Sequence, residues 1–284
     1  MTTIFNLRGT FGYGMHGCGY YKGTKHANTY EGFKYWRSRG ESFIEVDIAR
    51  TLDGRYVALA HKMITRDLRR LEINDFSATD VFTHNWYMRQ VLFCKSTNGL
   101  TPMDVKMIIN ELKEDKDLIV MFDLYGMWLQ EETELFSKYL LQINDDERLF
   151  SRILVEAYNQ DMINGINNAS NGEIPIIYCV HEDSAGAHHQ FLSASVLNMN
   201  NIYCISYPWS YHERYAGELE EFASNNFIIV SLSKDNRYAK KMQRGGVNIA
   251  LVDNIYHKGD FLIKYPIYLA GRLKNLLVQK MLKT

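Results

Sequence analysis

The chain has 284 residues, of which 46% are apolar and 23% charged, with a formal net charge of -1 at pH 7. These values suit a globular enzyme and exclude a disordered chain. The near-neutral balance excludes a global field able to hold nucleic acid, so any recognition of phosphate must be local. Cys18, Cys94, Cys179 and Cys204 stand far apart with no C-x-x-C pair, which points away from a structural zinc site and toward free thiols. Met1 to Arg8 is too short and polar for a signal peptide, and no apolar run approaches the roughly 18 to 20 residues of a membrane helix. A cytoplasmic protein without stable membrane insertion is expected, and oligomeric state leaves no readable trace.

Short β-branched or aromatic runs alternate with longer segments of helical period. Strands are expected near Phe11–Met15, Phe43–Ala49, Leu118–Leu124, Ile153–Ala157, Ile174–Val180, Ile202–Ser206, Phe227–Leu232 and Ile249–Val252. Helices are expected over Thr29–Arg39, Pro102–Lys113, Glu131–Gln142, Asp161–Asn168, Gln190–Leu197, Tyr211–Ser224, Arg237–Arg244 and Ile267–Lys280. Asn28 stands where a cap would precede the first helix, Pro102 reads as first-turn proline, and Gly40 and Gly245 read as C-terminal caps. The segment Ala60–Leu100 fits neither helix nor strand and reads as an excursion over one barrel mouth. Its Arg66–Arg70 cluster, like Lys240-Lys241, reads as a solvated face. Eight alternating units match a single (β/α)₈ TIM-barrel domain over 1–284, a fold of typically about 250 residues, with an open doubly wound sheet as the alternative.

Side chains alternate along a strand, so Glu45-Val46-Asp47 aims both carboxylates one way while Ile44, Val46 and Ile48 face the other. Asp123 ends an apolar run and would reach the same mouth. Three carboxylates so placed repel unless a cation lies among them, and oxygen ligands favour Mg²⁺ or Ca²⁺. His16 and His61 both end strand-like runs and suit general acid–base work near neutral pH.

His16-Gly17, Asn28-Thr29, Glu45-Val46-Asp47, Thr51-Leu52-Asp53-Gly54 and His61 follow one another within about fifty residues. This order resembles the glycerophosphodiester phosphodiesterases, and Thr101-Pro102-Met103-Asp104 and Asp123 extend the likeness, with looser similarity at Val155–Tyr158 and from Gly246 to Asp253. The resemblance implies a phosphodiesterase barrel with one divalent ion on Glu45, Asp47 and Asp123 and with His16 and His61 as the acid–base pair. The implied substrate is a small glycerophosphodiester or a sugar or polyol phosphodiester, attacked by water or by a neighbouring substrate hydroxyl.

The chain departs from that pattern at three places. Gly17 stands where arginine is usual, Lys62 where aspartate is common, and Tyr125 where a lysine often follows the third acid. Arg50 and Lys62 are therefore taken as candidate phosphate contacts, with Tyr125 and Glu156 as further substrate-binding candidates. Two other readings stand beside hydrolysis. One is a metal-containing barrel that binds a phosphorylated ligand without turnover, and the other is a metal-independent lyase using the histidines alone.

Gly12-Tyr13-Gly14-Met15-His16-Gly17 matches G-x-G-x-x-G by letter, but no helix begins there to meet a pyrophosphate, and the loop Tyr13–Lys25 is read instead as a cover for the site. His181, Glu182, Asp183, His188 and His189 read as a polar loop at the mouth. Ser206–Tyr211 is aromatic enough to stack on a sugar or to line the rim.

Overall fold

The computed structural model describes residues 3–21, 28–58, 63–66, 69–72, 77, 79, 101–124, 129–144, 146–180, 202–233, 236–253 and 255. Its strands are β1 (Gly12–Met15), β2 (Phe43–Arg50), β3 (Tyr56–Ala58), β4 (Met63–Arg66), β5 (Arg69–Glu72), β6 (Ile119–Asp123), β7 (Ile153–Ala157), β8 (Ile176–Cys179), β9 (Ile202–Pro208), β10 (Ile228–Ser233) and β11 (Ile249–Val252). Eight of them pair in parallel in the order β1-β2-β6-β7-β8-β9-β10-β11, and β11 returns to β1. The ring is a closed (β/α)₈ barrel, and the eight strands are those expected, shifted by no more than two residues at any end.

Closure sorts the strand residues by parity. Phe43, Ile119, Met121, Leu154, Ile177, Cys204, Ile228, Val230, Ile249 and Leu251 form one buried cluster inside the barrel, joined by Ile4 from the 3₁₀ turn Ile4–Leu7. Ile4 meets the residues that begin the strands, so this turn stoppers the N-terminal mouth. The alternate residues, among them Ile44, Val46, Phe122 and Val155, pack outward against the helices. Gly14 shows why glycine recurs in β1: a Cβ there would stand 2.7 Å from Phe43 and 3.0 Å from Leu251. Gly14 of the glycine string thus serves barrel packing.

The helices are α1 (Tyr30–Ser38), α2 (Val105–Glu114), α3 (Gln130–Ile143), α4 (Gln160–Ser170), α5 (Ala216–Ser224) and α6 (Ala239–Arg244). The helices expected over 190–197 and 267–280 lie outside the described residues. Among the described residues, no helix is long and apolar enough to cross a membrane. Arg152, only 2% exposed, donates to the carbonyls of Leu112, Asp115 and Leu118, tying the end of α2 to the entry of β6.

Several local expectations are corrected. Thr29, not Asn28, caps α1 by accepting from the Gly32 N–H, which releases the Asn28 side chain for another partner. Pro102 lies ahead of α2 in a bridge to Thr29, and Asp104 provides the cap through Met107 N–H. The expected helices Tyr211–Ser224 and Arg237–Arg244 begin later, after the 3₁₀ turns Trp209–Tyr211 and Asn236–Tyr238. At the end of α6 the expectation holds: Gly245 is the C-terminal cap, at φ −83°, and Gly246 after it takes the left-handed conformation.

The excursion holds strands that its sequence does not advertise. β4 and β5 pair antiparallel, and just before it β3 folds back on β2. That hairpin turns at Thr51-Leu52-Asp53-Gly54, where Thr51 Oγ1 donates to Asp53 at 2.6 Å and accepts from Arg55 N–H at 3.1 Å. Gly54 adopts φ +77°, which a residue with a Cβ rarely takes.

Gly165 lets α4 approach α3 closely. A Cβ there would intrude on Thr133 Oγ1 and the Gln130 carbonyl, and Thr133 Oγ1 is fixed against the Met162 carbonyl. Gly165→Ala is expected to destabilise the fold by about 1–3 kcal/mol, read as a lowered midpoint in urea unfolding.

Candidate active site

The inner faces change character toward the C-terminal end of the barrel. Phe43 gives way to Glu45 and Asp47, Met121 to Asp123, Leu154 to Glu156, Leu251 to Asp253 and Gly14 to His16. The polar residues therefore gather at one mouth, the end where TIM-barrel sites form. Asp47 and Asp123 are register partners on adjacent parallel strands, which turns both toward the same space. Carboxylate oxygens of Glu45, Asp47 and Asp123 all lie within 4.8 Å of one another.

Each acid is held by a specific donor. Gly17, in the left-handed region at φ 56°, directs its N–H onto Glu45 Oε2. Asn28 embraces Asp47 twice, its Nδ2 donating to Oδ2 at 2.6 Å and its Oδ1 accepting from the Asp47 backbone N–H at 3.1 Å. Tyr158 Oη stands between Asp123 Oδ1 at 2.7 Å and Glu156 Oε2 at 3.0 Å, and Ser206 Oγ donates to Glu156 Oε1 at 2.8 Å.

These donors do not neutralise the cluster. Burial, and then Asp47, Asp123 and Glu156, push the Glu45 carboxyl well above the usual carboxylate range, against the opposing pull of the Gly17 N–H. Burial followed by Glu45 and Asp47 likewise raises the Cys18 thiol, and burial followed by Asp123 and Glu156 raises the Tyr158 hydroxyl. Glu45 is 1% exposed, and its Oε1 has no hydrogen-bond partner among the described residues. A buried carboxylate oxygen left in this way is costly unless a cation meets it. Oxygens on opposite sides of a Ca²⁺ ion stand roughly 4.6–5.2 Å apart, twice its bond length to oxygen, so the three acids fit one hard divalent ion.

His16 sits at the edge of this cluster. Its Nδ1 meets Asp253 Oδ1 at 3.0 Å, and its Nε2 lies 4.0 Å from Glu45 Oε2. A carboxylate accepts, so the hydrogen belongs on Nδ1 and Nε2 is turned toward the acids.

The structure thus brings together His16, Glu45, Asp47, Asp123 and Glu156 of the residues singled out from sequence. Arg50 is not brought to them: it shares the outward parity of Val46 and Ile48, is exposed, and carries its guanidinium over Gly54. Glu156 is 2% exposed and bonded to Tyr158 and Ser206, so it supports Asp123 through Tyr158. His61, Lys62, Tyr125 and the 181–189 loop lie outside the described residues.

Asn28, Tyr158 and Asp253 were not legible as site residues. Asn28 is adjacent to the helix cap Thr29 and reads from sequence as the cap itself. Asp253 could have been found from its parity, two residues beyond Leu251 on an inner face, as Asp123 is found beyond Met121.

No family model matches the chain, and no curated protein does. Solved structures do. A protein from Silicibacter pomeroyi assigned to the glycerophosphoryl diester phosphodiesterases superposes with a TM-score of 0.69 at 13% identity, covering 88% of this chain and 93% of that one. A phosphodiesterase from Oleispira antarctica, solved with its product sn-glycerol-3-phosphate, gives 0.66 at 14% identity over 89% and 96%. A glycerophosphodiester phosphodiesterase from Parabacteroides distasonis gives 0.65 at 14% identity over 85% and 92%. The superpositions span 85–89% of this chain, which has the fold of the glycerophosphodiester phosphodiesterases.

Proposed function

We propose that the protein is a divalent-cation-dependent phosphodiester hydrolase acting on a glycerophosphodiester or a sugar or polyol phosphodiester. The observation that carries this reading is the Glu45–Asp47–Asp123 cluster, buried at Glu45 and Asp123, with the orphaned Glu45 Oε1 and with His16 at its edge. The shared fold, and the sn-glycerol-3-phosphate bound by the Oleispira antarctica neighbour, support the substrate class. The buried free thiols of Cys18, Cys179 and Cys204 accord with a cytoplasmic setting.

Glu45, Asp47 and Asp123 would hold the ion, which when bound neutralises charge building on the phosphoryl oxygens in the transition state. Asn28 and Tyr158 fix the orientation of Asp47 and Asp123, so the ligand oxygens are set before substrate arrives. Asp253 holds His16 with Nε2 directed into the mouth, where it exchanges a proton with the nucleophile or the leaving alkoxide. His61 is assigned the complementary proton transfer, and Mg²⁺ or Ca²⁺ the place in the acidic cluster.

Hydrolysis of bis(p-nitrophenyl) phosphate and of glycerophosphodiesters is expected with Mg²⁺, Ca²⁺ or Mn²⁺ and not with excess chelator. Asp47→Ala should abolish it, and His16→Ala should lower kcat roughly 10²–10⁴-fold with the fold intact by circular dichroism. Turnover by Asp47→Ala would overturn the site.

Cation affinity should also depend on pH with a defined sign. Because Glu45 retains its proton to a higher pH than an ordinary carboxyl, an incoming ion must displace that proton. Calorimetric affinity is therefore expected to fall as the pH is lowered, with proton release on binding.

A further inference from the structure

A cleft of about 720 Å³ opens from His16 and Asp253 at the C-terminal ends of β9, β10 and β11, within the roughly 300–1,000 Å³ of a small-molecule site. Glu45, Asp47 and Asp123 do not line it, so it leads from the proton-transferring histidine away from the acids. Part of its wall is held rigidly. Trp209 stacks on His212 with centroids 4.2 Å apart and planes at 22°, and His212 Nδ1 is bonded to Tyr207 Oη at 2.9 Å. Leu232 and Tyr238 add apolar surface to the lining, and the tyrosine is 50% exposed.

The charges of the cleft are matched. Among its described lining residues the cations Arg237 and Lys241 are balanced by the anions Glu213 and Asp253. Lys241 Nζ meets Glu213 Oε1 at 3.3 Å and also lies 6.0 Å from the centroid of the Trp209 ring. An ammonium thus already stands over the indole, where an incoming quaternary ammonium would otherwise settle. The Glu213–Lys241 contact does not exhaust its members, because an ammonium has several donor hydrogens and a carboxylate several acceptor positions. Both side chains are largely exposed and open to a ligand in the cleft. Together they present an acceptor and a donor at close to the separation of the two oxygens of a vicinal diol.

We propose that this cleft receives the alcohol half of the diester as an uncharged cyclic polyol, a sugar or cyclitol ring, and that the Glu213–Lys241 pair reads its vicinal hydroxyls. The inference rests on the phosphodiesterase reading for what enters the cleft. Glu213 accepts from one hydroxyl while Lys241 donates to its neighbour, and Tyr238 and Trp209 give apolar surface to the C–H side of the ring. With its charges matched, the lining gives no advantage to an alcohol that carries an ammonium or a carboxylate.

The test is calorimetric binding, with saturating Mg²⁺, of inositol monophosphate and glucosyl phosphate against two reference esters, methyl phosphate and phosphocholine. Wild type is expected to bind at least one ring ester about tenfold more tightly than both references, the size of one charge-assisted hydrogen bond. The ring that gains this margin identifies cyclitol or sugar. Glu213→Ala/Lys241→Ala, which leaves the net charge of the cleft unchanged, should bring that ester near parity with methyl phosphate. Lys240→Ala, an exposed change outside the cleft, should retain the margin. A wild type that binds neither ring ester more tightly than both references, or a margin that survives in the double variant, overturns the inference. Turnover of bis(p-nitrophenyl) phosphate is measured in parallel. Its absence beside an intact margin would remove the hydrolase reading and leave polyol selection standing, and its presence without the margin would remove only the selection.

Discussion

Three carboxylates, two buried and one half-buried, share one small volume and repel one another, and the upper half of the barrel is arranged around that repulsion. Gly17 turns left-handed so that its N–H reaches Glu45, Asn28 closes on both the side chain and the backbone of Asp47, and Tyr158 spans Asp123 and Glu156. Each contact fixes a carboxylate without discharging it. Charges set at this separation in a poorly polarisable surround would drive the chain apart or take up protons if no cation joined them. Burial first, and then the neighbouring carboxylates, raise the Glu45 carboxyl, the Cys18 thiol and the Tyr158 hydroxyl together.

The lower half is apolar because the same strands change their inner residues along their length. One period-2 rule therefore produces both a packed interior and a polar mouth: Phe43, Ile119, Leu154 and Ile249 fill the base, while two or four residues on, the same parity carries Asp47, Asp123, Glu156 and Asp253. Stability and chemistry are stacked along one axis. A register slip of one residue in β2 would send Glu45 and Asp47 into the helix layer and Val46 into the site.

Much of this was legible from the chain itself. The eight strands are short β-branched runs bounded by polar residues, and Glu45-Val46-Asp47 states its geometry through alternation alone. Less legible was anything depending on a partner far away in sequence. Asn28 looks like a helix cap because caps and carboxylate clamps use the same amide, and only the tertiary arrangement assigns the cap to Thr29. β3, β4 and β5 are three or four residues each, too short for periodicity to register. Arg50 illustrates the converse: proximity in sequence to Asp47 suggested a phosphate contact, but three residues along a strand reverses the face.

His16 and Asp253 are separated by 237 residues, and their contact joins the end of the first barrel strand to the end of the last. The Nδ1 contact therefore forms only once β11 has docked between β10 and β1. A chain emerging from the ribosome could assemble the acidic cluster once β6 is complete, yet the Asp253 contact to the imidazole waits for the final strand to close the ring. The contact between His16 and Asp253 thus arrives with topological closure, and an unfinished barrel lacks it.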